Sequence, residues 1–181
     1  MKNMYFLTGR PGVGKTSVVL AVIKILQEEG YQVGGMISKE KREKESRVGF
    51  EVYNIETGET GRLAHINQPE GPRVGRYKVD LNGLKSVGVE AIIEAIDVSD
   101  IIVIDEIGPM ELYSTSFKDA VLKSIDSGKP VLGTIHYRSK DPFINRIRDR
   151  KDSEIIEVTK ENRDRLPKDV SQRMLRILEL N

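Results

Sequence analysis

The chain contains no cysteine and no tryptophan in 181 residues. Without thiols it can have neither a disulfide framework nor a thiolate metal site. It also lacks an excess of charge of either sign: 29 Lys and Arg stand against 28 Asp and Glu. That balance removes the electrostatic argument for a nucleic-acid partner or a membrane surface. Long apolar runs are missing too, and none approaches the ~18 residues that a membrane span requires. The first strand-like run begins within a few residues of Met1, which leaves no room for a signal peptide. A soluble cytoplasmic protein is therefore expected. At ~100–200 residues per domain, the length suits one domain over residues 1–181 with a substantial core.

What the chain does have is an alternation of strand-like and helix-like apolar segments, the pattern of an α/β sheet flanked by helices. Met4–Leu7 reads as a short buried strand, and Ser17–Glu29 as a helix stopped by Gly30. Gln32–Ser38 is a second strand candidate, weakened by Gly34-Gly35. The charge run Lys39–Arg47 has no apolar periodicity and predicts a solvated loop. Val48, Phe50 and Val52 alternate with other residues as in a half-buried strand, Thr57-Gly58 turns the chain, and Gly61–Ile66 returns it. These segments predict an antiparallel hairpin region added to a mainly parallel sheet. Further on, Val89, Ile92, Ile93 and Ile96 mark a helix, and Ile101–Ile104 a central parallel strand. Helix, strand, short helix, strand and closing helix then follow to the C-terminus.

Between the first strand and first helix lies Gly9-Arg10-Pro11-Gly12-Val13-Gly14-Lys15-Thr16, which fits G-x-x-x-x-G-K-[ST] at every fixed position. A strand, a Gly-rich turn and a helix N-terminus make an anion site, because backbone N–H groups and the helix dipole converge there. Lys15 supplies a mobile charge for the β- and γ-phosphates, and the Thr16 hydroxyl suits Mg²⁺. The segment predicts binding of a nucleoside phosphate.

A second motif completes the first. The strand Ile101-Ile102-Val103-Ile104 ends in Asp105-Glu106-Ile107-Gly108. In phosphate-loop proteins a strand-end Asp holds Mg²⁺ opposite the loop hydroxyl, and a following Glu can orient and deprotonate the attacking water. Asp105 is assigned to the metal and Glu106 to water activation. Asp105-x-x-Gly108 also matches the D-x-x-G element of regulatory GTPases. The chain has no N-K-x-D string for guanine, however; Thr159-Lys160-Glu161-Asn162 lies where a base-binding loop could sit and also reads as a helix cap by Thr159.

Gly9–Thr16, Ile102–Glu111 (IVIDEIGPME) and Val158–Arg163 (VTKENR), with Arg47–Phe50 (RVGF) and Gly71–Tyr77 (GPRVGRY), stand in an order that resembles the small nucleoside-triphosphatase family typified by thermophile enzymes and the human cancer-related NTPase. The resemblance spans nearly the whole chain. It implies a RecA-like fold that hydrolyses several nucleoside triphosphates with Mg²⁺ and discriminates little between bases. One departure is His136-Tyr137-Arg138-Ser139-Lys140, where many relatives carry a Pro-rich turn, so no role is carried over to that loop.

Other charged residues stay open. Arg47, Arg73 and Arg76 are candidates to neutralise phosphate charge, or ordinary surface arginines. Thr134 or His136, at a strand's carboxyl end, could sense the γ-phosphate. Glu111 could add a carboxylate near the metal or serve a salt bridge, and His65 reads as structural. Two other functions compete with hydrolysis: phosphoryl transfer to a small-molecule acceptor under a Lys39–Arg47 lid, and a nucleotide-gated interaction module.

Overall fold

The computed structural model describes residues 1–180 and leaves Asn181 outside the described residues. The first apolar run forms β1 (Met4–Thr8), and the stripe behind the Gly-rich turn forms α1 (Lys15–Glu28). α1 closes on Gly30 (φ 91°), where the Gly30 N–H donates to Gln27 O and the Tyr31 N–H to Leu26 O, a Schellman stop. Strands β2 (Val33–Glu43), β3 (Ser46–Asn54), β4 (Thr60–His65), β5 (Arg73–Val74) and β6 (Tyr77–Val79) follow. The next helical stretch comprises α2 (Leu81–Gly83), a π-helical segment (Leu84–Val89) and α3 (Glu90–Val98). Then come β7 (Ile101–Ile107), a 3₁₀ turn (Glu111–Tyr113), α4 (Thr115–Asp126), β8 (Val131–Ile135), α5 (Pro142–Arg148), β9 (Ser153–Glu157) and α6 (Leu166–Leu178).

All nine strands share one sheet, in the order β5-β6-β4-β3-β2-β7-β8-β1-β9. The five strands from β2 to β9 in that order pair in parallel, and the others extend the β2 edge in antiparallel fashion. Neighbouring residues along the parallel strands face opposite sides. Met4, Phe6, Ile102, Ile104, Val131 and Ile135 pack with α3, α4 and α5 side chains such as Ile92, Phe117 and Ile144. Tyr5, Leu7, Ile101, Val103 and Leu132 pack on the other face with Val19, Val22 and Leu26 of α1 and Val170 and Met174 of α6. Burial on both faces is why Ile101–Ile104 is apolar without alternation.

Two expectations from sequence need correction. The Lys39–Arg47 run is not a loop. β2 continues to Glu43, turns at Lys44–Glu45 and returns as β3, with Lys41 paired to Glu51 at 3.1 Å and Arg47 to Glu40 at 2.9 Å. Thr159 does not cap a helix either. Its hydroxyl accepts from the Asn162 N–H at 3.3 Å while Asn162 Oδ1 accepts from the Thr159 N–H at 2.8 Å, closing a turn ahead of α6.

Gly34-Gly35 sits inside β2 because two elements press on it. A Cβ at Gly34 would lie 2.2 Å from Ser99 Oγ, and one at Gly35 would lie 2.1 Å from Val103 O, where φ is also +112°. Gly35→Ala is therefore expected to cost at least ~2 kcal/mol, since a crowded backbone and a left-handed φ act together. Gly58→Ala, also at positive φ (+74°) but with nothing within 4 Å of the new Cβ, should cost only ~1 kcal/mol. Thermal unfolding of the two variants measures the difference.

Candidate active site

The Gly-rich segment wraps from the end of β1 into α1. Gly14 precedes the helix at φ 109°, and α1 starts with no side-chain cap and no acidic residue in its first turn. α4 and α5, by contrast, are capped by Ser114 and Asp141. The first-turn N–H groups of α1 thus keep their donors free for an anion. The Lys15 ammonium folds back onto the loop, donating to Gly9 O at 2.9 Å.

β8 lies between β1 and β7 in the sheet, and all three strand ends meet at one point. Thr16 Oγ1 donates to Asp105 Oδ2 at 2.9 Å, and Thr134 Oγ1, from β8, donates to Asp105 Oδ1 at 2.6 Å. Both oxygens of a carboxylate that is 2 % exposed are thereby oriented. Burial lifts the Asp105 carboxyl to about 6; the Thr134 and Thr16 hydroxyls oppose the rise, neighbouring Glu106 adds to it, and Lys15 opposes it.

Two more carboxyl groups converge beside Asp105. Glu106 reaches the cleft, with Oε1 3.5 Å from His136 Nδ1. Glu111 is buried, and burial first, then the Glu106 charge, push its carboxyl well above the ordinary range and favour the neutral acid. A Cβ at Gly108 would stand 2.5 Å from Glu106 Oε1 and 3.2 Å from Glu111 Oε2. The glycine of the D-x-x-G element thus makes room for two carboxyl groups.

These groups line a cleft of about 610 Å³ whose opposite wall is the antiparallel arm, with Ser38, Lys39, Arg47, Phe50 and Val74 among its residues. Of the three arginines raised from sequence, Arg47 borders this cleft and Arg73 and Arg76 do not. The Arg47 Nε donates to Tyr77 OH at 2.9 Å, and Arg76 Nε donates to the same oxygen at 3.2 Å. Arg76 therefore buttresses the residue that faces the site.

Of the residues singled out in the two motifs, Gly9, Pro11, Gly12, Gly14, Lys15, Thr16, Asp105 and Glu106 line one cleft, whereas exposed Arg10 does not. Ile101, Ile102, Val103, Ile104 and Ile107 have no exposed surface and serve as core, aiming the strand end rather than touching a ligand. Val13 packs against the core beside α1. Thr134 acts on Asp105, while His136 pairs with Glu106. His65 is structural, its Nδ1 accepting from the Asn67 N–H at 3.0 Å. Sequence reading missed the contribution of Phe50, Val74 and Met110 to the cleft wall, because residues so far apart carry no common pattern. It also missed the contact of Arg163 with the loop, although VTKENR is among the strings that carry the resemblance.

Comparison with known proteins finds matches along nearly the whole chain. The family described as NTPase matches residues 4–171. The nucleoside-triphosphatase THEP1 of Thermofilum pendens is 51% identical over 164 residues, 90% of each chain. That of Methanosarcina acetivorans is 43% identical over 95% of this chain and 97% of its own. Among solved structures, THEP1 from the hyperthermophile Aquifex aeolicus superposes with a TM-score of 0.83 at 30% identity, covering 94% of this chain and 98% of that one. The solution structure of a human cancer-related nucleoside triphosphatase superposes with a TM-score of 0.81 at 35% identity, covering 96% and 97%.

Proposed function

The chain belongs to the nucleoside-triphosphatase family and hydrolyses nucleoside triphosphates, and we propose that it does so at the γ-phosphate, with Mg²⁺ and little choice of base, as one cytoplasmic domain. The observation that carries this reading is the 2.9 Å contact between Thr16 Oγ1 and Asp105 Oδ2, which joins the loop to the carboxylate of a strand 89 residues away.

In this reading the loop amides and Lys15 bind the phosphates. Thr16 and Asp105 would hold the metal ion, which supplies charge neutralisation at the β- and γ-phosphates when bound. The donor set fits Mg²⁺: one hydroxyl and one carboxylate, both hard oxygens, leave most positions to water and phosphate. Among the described residues, no group of three or more His, Cys, Asp or Glu side chains is arranged to hold a metal alone. Glu106 orients a water and takes its proton. Arg47, on the facing wall, adds positive charge toward the transferred phosphoryl. Such a site asks the protein mainly for positioning and charge stabilisation.

Phosphate release from ATP, GTP, CTP and UTP, with Mg²⁺ and with chelator, tests the reading. Release from all four, within ~10-fold of one another, is expected from a site that does not hydrogen-bond the base strictly, with loss of activity in chelator. Strong preference for one base, or release insensitive to chelator, overturns it. The other two readings of the sequence, transfer to a small-molecule acceptor and a nucleotide-gated contact, draw no support from the relatives, which are named nucleoside-triphosphatases.

A further inference from the structure

The cation on the wall that faces the phosphate loop is not held by its own strand alone. Arg47 lies near the outer end of β3, opposite Arg42 and past the register shift at Lys41/Arg42, and both residues are exposed. An arginine side chain carries ~2 kcal/mol of rotamer entropy, so backbone pairing by itself does not fix a guanidinium. Three neighbours do. Arg47 Nε donates to Tyr77 OH at 2.9 Å, and Nη1 donates to Glu40 Oε1 at 2.9 Å. The guanidinium carbon stands 5.2 Å from the centre of the Phe50 ring. Arg47 Nη2 is left without a hydrogen-bond partner among the described residues.

The Tyr77 oxygen is set in turn by the hairpin beside it. Tyr77 opens β6, is 6 % exposed, and meets Phe50 edge to face with ring centres 5.2 Å apart. Gly75, at φ +59°, makes the turn from β5 to β6 and delivers Arg76 next to Tyr77. Arg76 Nε donates to Tyr77 OH at 3.2 Å, and Arg76 Nη2 donates to the main-chain oxygen of Arg47. One planar fork therefore holds both the Arg47 backbone and the oxygen that orients its guanidinium. Arg76 does not line the cleft, so any effect it has on the reaction passes through Arg47.

We propose, resting on the reading that Arg47 faces the transferred phosphoryl, that the β5–β6 hairpin is a positioning device for hydrolysis, with Arg76 aiming Arg47 through Tyr77. Arg76 is a positioning residue, and the chemistry stays with Lys15, Asp105, Glu106 and Arg47. The assignment gives RVGF and GPRVGRY a common purpose, since Arg47 and Phe50 of the first string meet Arg76 and Tyr77 of the second in one cluster. Aim matters here because charge stabilisation acts only where the charge develops.

Three readouts test this: kcat, calorimetric affinity for ADP, and affinity for ADP with Mg²⁺ and aluminium fluoride, a mimic of the phosphoryl group in flight. Arg76→Ala is expected to lower kcat and aluminium fluoride complex affinity together by about 10-fold, less than the ~10² that a 1 Å misplacement can cost, with ADP affinity within about twofold of the parent. Tyr77→Phe, which removes only the shared oxygen, should act in the same direction, and it carries the test if the Ala variant does not fold. Arg76→Lys keeps the charge without the fork and should not rescue. In an Arg47→Ala background, Arg76→Ala should add nothing, since the two act as one unit. A further loss in that background, or equal losses for ADP and the aluminium fluoride complex, would show a merely structural role and overturn the device. So would parent kcat in both Arg76→Ala and Tyr77→Phe while Arg47→Ala is impaired. Failure of the underlying reading looks different: Arg47→Ala itself keeps the parent kcat and aluminium fluoride affinity, which removes Arg47 and its hairpin from the reaction together.

Discussion

Replacing Glu106 by Gln is expected to leave nucleotide affinity within about twofold of the parent and to lower the rate of phosphate release by at least ~10²-fold, the usual contribution of a positioned general base. Gln matches Glu in size and can still hold a water by hydrogen bonding, but it cannot take the proton. The half-buried Glu106 carboxylate sits at the cleft beside His136, with buried Glu111 across Gly108. Neither neighbour replaces it. Glu111 favours its neutral form and is enclosed, and His136 sits on the departing loop. Calorimetric affinity together with single-turnover phosphate release separates binding from chemistry. A Gln variant that turns over at the parent rate would remove Glu106 from the mechanism.

The second large effect concerns Asp105. Asp105→Asn should abolish turnover to at least the same degree, because the charge that would hold the metal is lost while the shape stays. The same substitution should stabilise the protein at neutral pH when a chelator is present. Asp105 has its carboxyl raised from 3.8 to about 6, chiefly by burial. A carboxyl whose folded value is raised contributes stability below its unfolded value and loses that contribution as pH rises through the folded value. The shift of about two units corresponds to ~3 kcal/mol as an upper bound. Asn keeps one acceptor for the hydroxyls of Thr16 and Thr134 and gives up the other, so a net gain of ~1–2 kcal/mol is reasonable. At this chain length that is roughly 2–8 °C in Tm. The gap between Asn variant and parent should be small near pH 4 and open fully by about pH 7. Glu40, Glu51 and Asp152 are lowered by their Arg or Lys partners, so their contribution runs the other way and is lost only as pH falls below the ordinary carboxylate range. They do not enter the pH 5–7 window. An Asn variant that melts below the parent across that window would show that the buried charge is better compensated than the geometry implies.

Much of the architecture was legible because burial leaves periodic traces. Ile101–Ile104 reads as a strand covered on both faces, and Phe117, Ala120, Val121 and Ile125 read as one helix face; all are buried. The phosphate loop and strand-end acids were legible because their chemistry requires particular residues in a fixed local order. Where the chain leaves the core, that trace fades. The outer half of the β2–β3 hairpin meets solvent on both sides, so Lys39–Arg47 shows charges instead of alternation, with ion pairs such as Lys41–Glu51 and Arg47–Glu40 added to the backbone ladder. Gly34-Gly35 lowered strand propensity for a reason visible only once Ser99 and Val103 stand beside it. Thr134 could be placed at a strand end but not against Asp105, because that contact depends on β8 separating β1 from β7. The contact of Arg163 with Val13 in the loop is a tertiary product of the same kind.

The strand β2 serves two ladders at once. Val33–Ile37 pairs with β7, placing Ile37 opposite Asp105, and Met36–Glu43 pairs with β3, with a register shift only at Lys41/Arg42. The hairpin is therefore a cantilever, rooted in the rows that carry the Asp105 carboxylate, and it has no hinge near its base. Any swing at the root would break ladder bonds next to Asp105. The wall that faces the phosphate loop is thus set by backbone pairing at its root, and Arg47 is pinned on it by Tyr77 and Glu40.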